Sequence, residues 1–289
     1  MSLRTRSAGK RPGQRRRLAL RVLIAVAAVL PGCAPRAKPL EPQRGPVRRI
    51  TPAKAEMAAQ EVQRDPVAYL RRVAANCRRL QQYTLLFTRS ERRGLLQQLQ
   101  GPEHIRCWFR REPFSVRMKW LDDDCKYGES VYVAGQADGK VRFVTRWWSP
   151  PLLPPPGVNK VDLQTPVAFG ESKRPLTDFG LERMMERTVA ALEAAGADVV
   201  VSFVGLEQLP DDGPTVHHLR LEYPPARYRV PTQDLYIDVV TNLPAGTLLK
   251  LASGALDASY FYADLDSAVR LTDDDFLLAA ERTDAADEK

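Results

Sequence analysis

The sequence lacks any apolar run of the ~20 residues that a bilayer-spanning helix needs. This absence argues against a polytopic membrane protein. Hydrophobic residues nevertheless make up 44% of the chain and charged residues 27%, which is ordinary for a protein with a buried core. We therefore expect a globular domain rather than a fully disordered chain.

Residues and motifs of the common catalytic sites are also scarce. The chain has only three histidines, and it has no G-x-S-x-G nucleophile elbow, no P-loop and no G-x-G-x-x-G motif. His217 and His218 are adjacent in a predicted strand, so their side chains point to opposite faces and cannot bind one metal ion together. His217 lies on the apolar face and is predicted to be a buried core residue. We predict a protein that is not an enzyme, with no catalytic residue, no metal and no cofactor.

Cysteine is rare as well, with four in the chain and no C-x-x-C pair. Cys77 falls on the apolar stripe of a predicted helix, which favours a core position. A disulfide between Cys107 and Cys125 is compatible with an oxidising compartment, but the sequence does not decide the pairing.

The positive charge is concentrated at the N-terminus. Residues 1–50 carry 13 of the 43 Lys and Arg residues and one of the 35 acidic residues, so residues 51–289 have a net charge of −4. A nucleic-acid-binding domain is usually basic, with its charge clustered on one face. The mildly acidic body therefore predicts that nucleic acid is not a partner.

The first 33 residues have the anatomy of an export signal. A basic region at residues 4–17 precedes the apolar stretch Leu18–Leu30, which only Arg21 interrupts. Leucine and glycine at positions −3 and −1 before Cys33 resemble a bacterial lipobox, although Pro31 departs from the small residue that is usual at −2. Cys33 is thus predicted to be lipidated and to anchor the protein in membrane lipid. Ordinary cleavage nearby and an uncleaved anchor remain alternatives.

Residues 34–64 are predicted to form a proline-rich basic tether, which is followed by a domain at 65–280 and a polar tail at 281–289. The folded part is expected to begin between residues 52 and 66, with a helix around 52–63. The predicted location is the cell envelope, with the domain facing the periplasm. The outer membrane is favoured over the inner by analogy alone.

Two amphipathic helices stand out in the domain. Asp65-Pro66 is typical of an N-cap and first helical residue, and an apolar stripe follows at helical spacing up to Leu80. The second helix is predicted from Asp178, as N-cap, to Ala195, with Gly196 as the stop.

The remaining segments alternate with a period of two and predict about ten strands. In the first half, the alternation predicts an antiparallel meander with one apolar face and one solvent-exposed, strongly basic face. The order of elements excludes alternating βαβ units. We therefore predict an α+β fold, in which a curved antiparallel sheet, an incomplete barrel, is closed by two main helices.

Residues 147–175 break this pattern with a long loop that begins Trp-Trp-Ser-Pro-Pro. Loops of this length are usually functional or disordered, and an apolar loop could border a cavity between helices and sheet. The predicted ligand-binding residues are Trp147, Trp148, Leu152, Leu153, Phe109, Met118, Trp120 and Met185. The alternatives are that the loop packs as a lid on a filled core and that Met185 is core filler.

Several segments resemble an uncharacterised family of bacterial envelope lipoproteins with a fold like that of the LolA/LolB lipoprotein-sorting proteins. The resemblance covers roughly residues 65–276 and rests on Tyr83–Arg92, Pro113–Trp120, Gly128–Gly135, Pro175–Leu181, Asp238–Pro244, Tyr260–Leu265 and Leu271–Phe276. It implies an incomplete barrel whose cavity holds acyl chains, and it transfers no individual binding residue.

These observations lead to two functional hypotheses. The first is a membrane-anchored, non-catalytic envelope lipoprotein that binds an acyl chain, a lipid or a lipidated protein in an apolar cavity. The alternative is a structural or protein-interaction module of the envelope with a filled core. Lipid or lipoprotein cargo is the predicted partner in the first case.

Overall fold

The computed structural model describes residues 50–146 and 157–282. Its helices are α1 (Pro52–Arg64), α2 (Pro66–Arg79), α3 (Thr165–Ala168) and α4 (Leu181–Ala195). Its strands are β1 (Gln82–Arg93), β2 (Gln98–Arg110), β3 (Ser115–Trp120), β4 (Tyr127–Val133), β5 (Val141–Thr145), β6 (Val158–Val161), β7 (Val200–Gln208), β8 (Thr215–Glu222), β9 (Thr232–Asp238), β10 (Pro244–Lys250) and β11 (Leu256–Asp266).

Within the described residues, the strands form one antiparallel sheet in the order β6-β5-β4-β3-β2-β1-β11-β10-β9-β8-β7. Neighbouring strands are consecutive in the chain except at the centre, where β1 pairs with β11. The sheet is open, because β6 and β7 are its edges and do not pair with each other. The predicted α+β class with a large, unclosed antiparallel sheet is confirmed, with one strand more than the ten expected.

The main core lies between one face of the sheet, here called the inner face, and helices α2 and α4. Alternate residues of the strands point into it, as the period of two predicts. Cys77 and Leu70 of α2 and Met185 of α4 pack there with Phe109 of β2 and Leu235 of β9. The opposite side of the sheet is called the outer face.

The two predicted helices form, with one correction. Asp65 caps α2 as expected, since its carboxylate accepts the Ala68 N–H at 2.9 Å. Helix α4 begins later than predicted, at Leu181, because a single 3₁₀ turn occupies Leu176–Asp178. The Leu181 N–H at its start donates to the buried Tyr83 hydroxyl at 3.1 Å, so the helix end is satisfied by a distant strand instead of Asp178.

The helix expected around residues 52–63 forms as α1. Helix α1 buries Ala55, Ala59 and Val62 and contacts β7. Cys77, Cys107 and Cys125 are free thiols. None of the helices in the described part of the chain combines the length and apolar character needed to cross a membrane.

A C-terminal strap, defined as residues 273–282, covers the outer face of β3, β4 and β5. Phe276 and Leu278 of this strap are buried against Val131 and Val133. The capping box between Thr272 and Asp275 starts the strap with a 3₁₀ turn. The sheet is therefore packed on both faces in this region.

The strap overturns the prediction that the basic face is exposed to solvent. Arg117 is buried, and its guanidinium pairs with Glu129 at 3.0 Å and lies over the Trp108 ring at 4.4 Å. Arg142 pairs with Glu281 of the strap at 2.6 Å. Arg110, Arg117 and Arg142 of this face thus contact the strap. Local alternation could not reveal a segment that returns from so far along the chain.

Candidate functional site

A cavity of about 1010 Å³ lies on the inner face of the sheet. Strands from both halves of the sheet, helix α4 and the segment between β6 and α4 enclose it. We call this segment, residues 162–180, the covering segment. Wall residues include Met118 of β3, Met184 of α4 and Leu176 of the covering segment.

One part of the wall is aromatic. Phe87 of β1 stacks on Tyr262 and Tyr260 of β11, with ring centroids 5.5 and 5.9 Å apart, and Phe179 of the covering segment meets it edge-on at 5.5 Å. The pairing of β1 with β11 sets this arrangement, because Phe87 is directly opposite Tyr262. Such a surface is suited to apolar ligand groups.

The wall turns polar two residues further along β1. Arg89, Glu91 and Arg93 continue the inner-face alternation that begins with Tyr83, Leu85 and Phe87, and Arg89 and Glu91 line the cavity. With Glu103 of β2, these three residues form what we call the charged cluster. A single strand therefore carries both an apolar and a charged wall.

The charged cluster is internally paired and largely buried. Arg89 contacts Glu103 at 2.7 Å, and Arg93 contacts the other oxygen of the same carboxylate. The Tyr260 hydroxyl donates to Glu91 at 2.6 Å. Burial alone would raise the pKa of Glu103, but the two guanidinium groups outweigh it and lower this pKa to about 2. Glu103 is therefore ionised at neutral pH.

Ion pairs fasten the covering segment over the cavity. The Lys173 ammonium contacts both carboxylate oxygens of Asp257 on β11 at 2.9 Å. Glu171 pairs with Lys126 next to β4, and its carbonyl accepts from Arg93 at 2.8 Å. These contacts join the segment to both halves of the sheet.

The structure brings together some of the predicted ligand-binding residues and separates others. Met118 and Trp120 line the cavity. Phe109 and Met185 instead lie in the packed core, where Phe109 stacks on Tyr83 at 4.7 Å. Cys33 lies outside the described residues. So do the four predicted loop residues, Trp147, Trp148, Leu152 and Leu153.

Sequence reasoning missed the aromatic wall and the charged cluster. A signal for the cluster was present, because a strand with Tyr83, Leu85 and Phe87 facing inward places Arg89, Glu91 and Arg93 on the same face. The alternation also places Tyr260 and Tyr262 together on one face of the last strand, without showing what they meet. Their contribution depends on the pairing of β1 with β11.

His217 occupies the core position that its strand alternation predicts. His217 is buried, and its Nδ1 lies 2.9 Å from the Tyr69 hydroxyl. Burial lowers the pKa of His217 to about 4, so that the ring is neutral at pH 7. Among the residues at 50–146 and 157–282, no group of three or more His, Cys, Asp or Glu side chains is placed to hold a metal ion.

Comparison with solved structures gives distant matches. The complex of MucA and MucB from Pseudomonas aeruginosa matches with 17% identity and a TM-score of 0.43, over 75% of this chain and 62% of that one. The Mycobacterium tuberculosis lipoprotein LppX matches with 10% identity and a TM-score of 0.42, over 72% of this chain and 100% of that one. A LolA superfamily protein from Nitrosomonas europaea matches with 9% identity and a TM-score of 0.29, over 74% and 97%. This chain spans about three fifths of the MucB chains that it matches.

At the sequence level, no curated protein matches the chain. One family model does match, over residues 80–283, which is more than half of the sequence. The matched range contains all eleven strands and helix α4. It also confirms the resemblance to an uncharacterised family. The chain therefore belongs to the family described as protein of unknown function DUF1571.

Proposed function

We propose that this protein is a membrane-anchored, non-catalytic protein of the cell envelope that binds an acyl chain of a lipid or lipidated protein in its cavity. The observation that carries the proposal is the cavity of about 1010 Å³ with an aromatic wall. Ligand sites in proteins typically measure about 300–1,000 Å³ and are mostly apolar. A cavity at the upper end of this range suits a lipid-sized ligand.

The cavity wall changes from aromatic to charged along β1, and this change supports a ligand with one apolar and one polar end. Apolar chains would lie against Phe87, Tyr262 and Phe179, where burial of apolar surface stabilises binding. A polar head group would lie near Arg89, which is paired with Glu103, and near Glu91, whose Oε1 accepts from Tyr260 while its buried Oε2 has no hydrogen-bond partner among the described residues. The open volume also supports this role over that of a module with a filled core.

The anchor is proposed from the sequence. Lipidation of Cys33 would hold the domain at a membrane of the envelope, with residues 34–64 as tether and the outer membrane as the favoured site. Metabolic labelling with an alkyne fatty acid tests this step. Label should appear on the wild-type chain and be absent from Cys33→Ala, and an equally labelled variant would contradict the anchor.

Ligand binding is tested by native mass spectrometry of residues 44–289. This range forms a compact unit of its own and contains the whole described sheet and core. We expect an added mass that is released on denaturation, or uptake of added phospholipid. A bare polypeptide mass that takes up no phospholipid would overturn the proposal.

A matched pair of variants locates the ligand. Leu176→Glu places a carboxylate in the apolar wall and should reduce phospholipid uptake at least about tenfold, because an unpaired charge there would lose its hydration. Val200→Glu makes the same change at an exposed position on β7 and should leave uptake unchanged. Equal uptake by both variants would exclude this cavity as the binding site.

A further inference from the structure

Three large apolar side chains are exposed together at one rim of the cavity. Leu95 is 99% exposed, and Leu96 and Phe169 are each 77% exposed. Leu95 and Leu96 form the tip of the β1–β2 turn, and Phe169 follows α3 in the covering segment. We call these three residues the rim patch.

The rim patch is built on two turns that hold each other in place. The Gln97 N–H donates to the Gly94 carbonyl at 3.2 Å, which closes the β1–β2 turn. The Gly94 N–H donates to the Gly170 carbonyl at 3.2 Å and joins the two turns. Gly170 has a φ of +69°, and a Cβ there would lie 3.3 Å from the Gly94 backbone. The close approach thus depends on glycine, and it places Phe169 beside the leucine tip.

The patch lies at the opening of the cavity. Phe169 lines the cavity and is nevertheless mostly exposed, so it marks where the cavity meets solvent. The residue two positions later, Glu171, is fixed by Arg93 of the charged cluster. A ligand that entered or left beside Phe169 would therefore pass close to the apolar tips.

Two arginines flank the tips without carboxylate partners. Arg92 Nη1 donates to the Gln97 carbonyl at 3.2 Å, and Arg229 Nη2 donates to the Gln97 side chain at 3.1 Å. In the part of the chain that the structure describes, neither guanidinium has a carboxylate within 4 Å. Arg92 Nε also donates to the Leu256 carbonyl of β11 at 2.6 Å, so Arg92 is held between β11 and the turn, while Arg229 is held at the turn. No described carboxylate compensates either charge.

We propose that the rim patch inserts into the surface of a lipid bilayer that carries anionic head groups. Exposed apolar groups at turn tips can enter the boundary between head groups and acyl chains, and adjacent cations attract anionic lipids. The apolar tips match the acyl region of a bilayer, and the two arginines without carboxylate partners match its anionic head groups. This complementarity favours a bilayer as the surface that the rim patch binds. Docking at this rim brings the opening of the cavity to the membrane independently of any anchor at the N-terminus.

The test measures binding of residues 44–289 to vesicles of phosphatidylcholine with and without phosphatidylglycerol. We expect the wild-type unit to bind phosphatidylglycerol vesicles. The double variant Leu95→Ser/Leu96→Ser should bind at least about tenfold more weakly, since the loss of one of the two apolar side chains from the interface is enough for that factor. Arg229→Gln should weaken binding about fivefold on phosphatidylglycerol vesicles alone.

A matched control removes apolar surface elsewhere. Met57 and Val200 are 71% and 56% exposed and do not line the cavity, and Met57→Ser/Val200→Ser should bind vesicles like the wild type. Thermal unfolding checks that all variants are folded. Absence of wild-type binding to either vesicle, or equal binding by the leucine variant, would overturn the proposal. Binding of a protein partner through these leucines, without any binding to vesicles, would overturn the proposal too.

The vesicle-binding result can be distinguished from the result of the phospholipid-uptake experiment on the cavity. Leu95 and Leu96 do not belong to the cavity wall, so their double variant should still take up phospholipid from detergent in native mass spectrometry. Loss of vesicle binding with retained uptake supports the docking surface. Failure of uptake by the wild type would refute the proposed ligand without affecting the vesicle result.

Discussion

Replacing Glu103 with Gln tests whether the charged cluster is stabilised as its geometry indicates. The carboxylate contacts Arg89 and Arg93 and accepts from the Trp120 indole N–H at 3.2 Å. Removal of one partner from a buried ion pair typically costs about 3–5 kcal/mol, because a charge is left without compensation. Glu91 remains 3.8–3.9 Å from both guanidinium groups, which places the expected loss near the lower value.

The lowered pKa of Glu103 gives a similar value for the free energy of unfolding that the variant should lose. It is lowered from 4.5 to about 2, and each pKa unit corresponds to about 1.4 kcal/mol, so the ionised form contributes about 3 kcal/mol to stability. Because the folded-state pKa is the lower one, this contribution is complete above pH 4.5. It is lost as the pH falls towards 2.

The assay is urea unfolding at neutral pH and at steps between pH 5 and pH 2.5. Glu103→Gln should lose about 3 kcal/mol at pH 7, and its stability should fall less steeply with acid than that of the wild type. The control Glu186→Gln breaks an exposed pair with Arg183 and should cost less than about 1 kcal/mol. A loss of the same small size in Glu103→Gln, or parallel acid profiles, would refute the reasoning.

Three further changes probe other parts of the fold by urea unfolding. Between pH 6.5 and 4 the unfolded His217 ring binds a proton and the buried ring, with its pKa of about 4, does not, so the wild type loses stability as the pH falls. His217→Gln should lose less stability over this range, and an unchanged dependence of the unfolding free energy on pH would contradict this. Tyr83→Phe should cost about 1–3 kcal/mol by leaving the Leu181 N–H without its acceptor, and a neutral effect would show that α4 does not depend on this bond. Phe276→Ala should cost about 3–5 kcal/mol, as for other large buried side chains, whereas a loss below about 1 kcal/mol would mean that the strap is not part of the cooperative unit.

Features that depend on residues close together in the chain were predictable from the sequence, and features that depend on distant residues were not. Asp65 caps α2 as predicted, because capping involves residues only three positions apart. The start of α4 was predicted wrongly, because its first N–H is satisfied by Tyr83, which is 98 residues away. Phe109 and Met185 were predicted to line a binding site, and they lie in the packed core. Whether an inward-facing residue lies in packed core or in a cavity wall depends on which other element covers it.

The sequence by itself determined the class of the protein: the alternation of side chains along the strands, the helix stripes and the predicted leader are properties of neighbouring residues. Only the tertiary structure decided what those faces contact. The pairing of β1 with β11 brings Tyr260 to Glu91, 169 residues away, and the return of the strap covers the basic outer face. Such contacts arise because antiparallel pairing and burial of apolar surface act between segments that are distant in the chain. The cavity, the charged cluster and the rim patch are all products of these distant contacts.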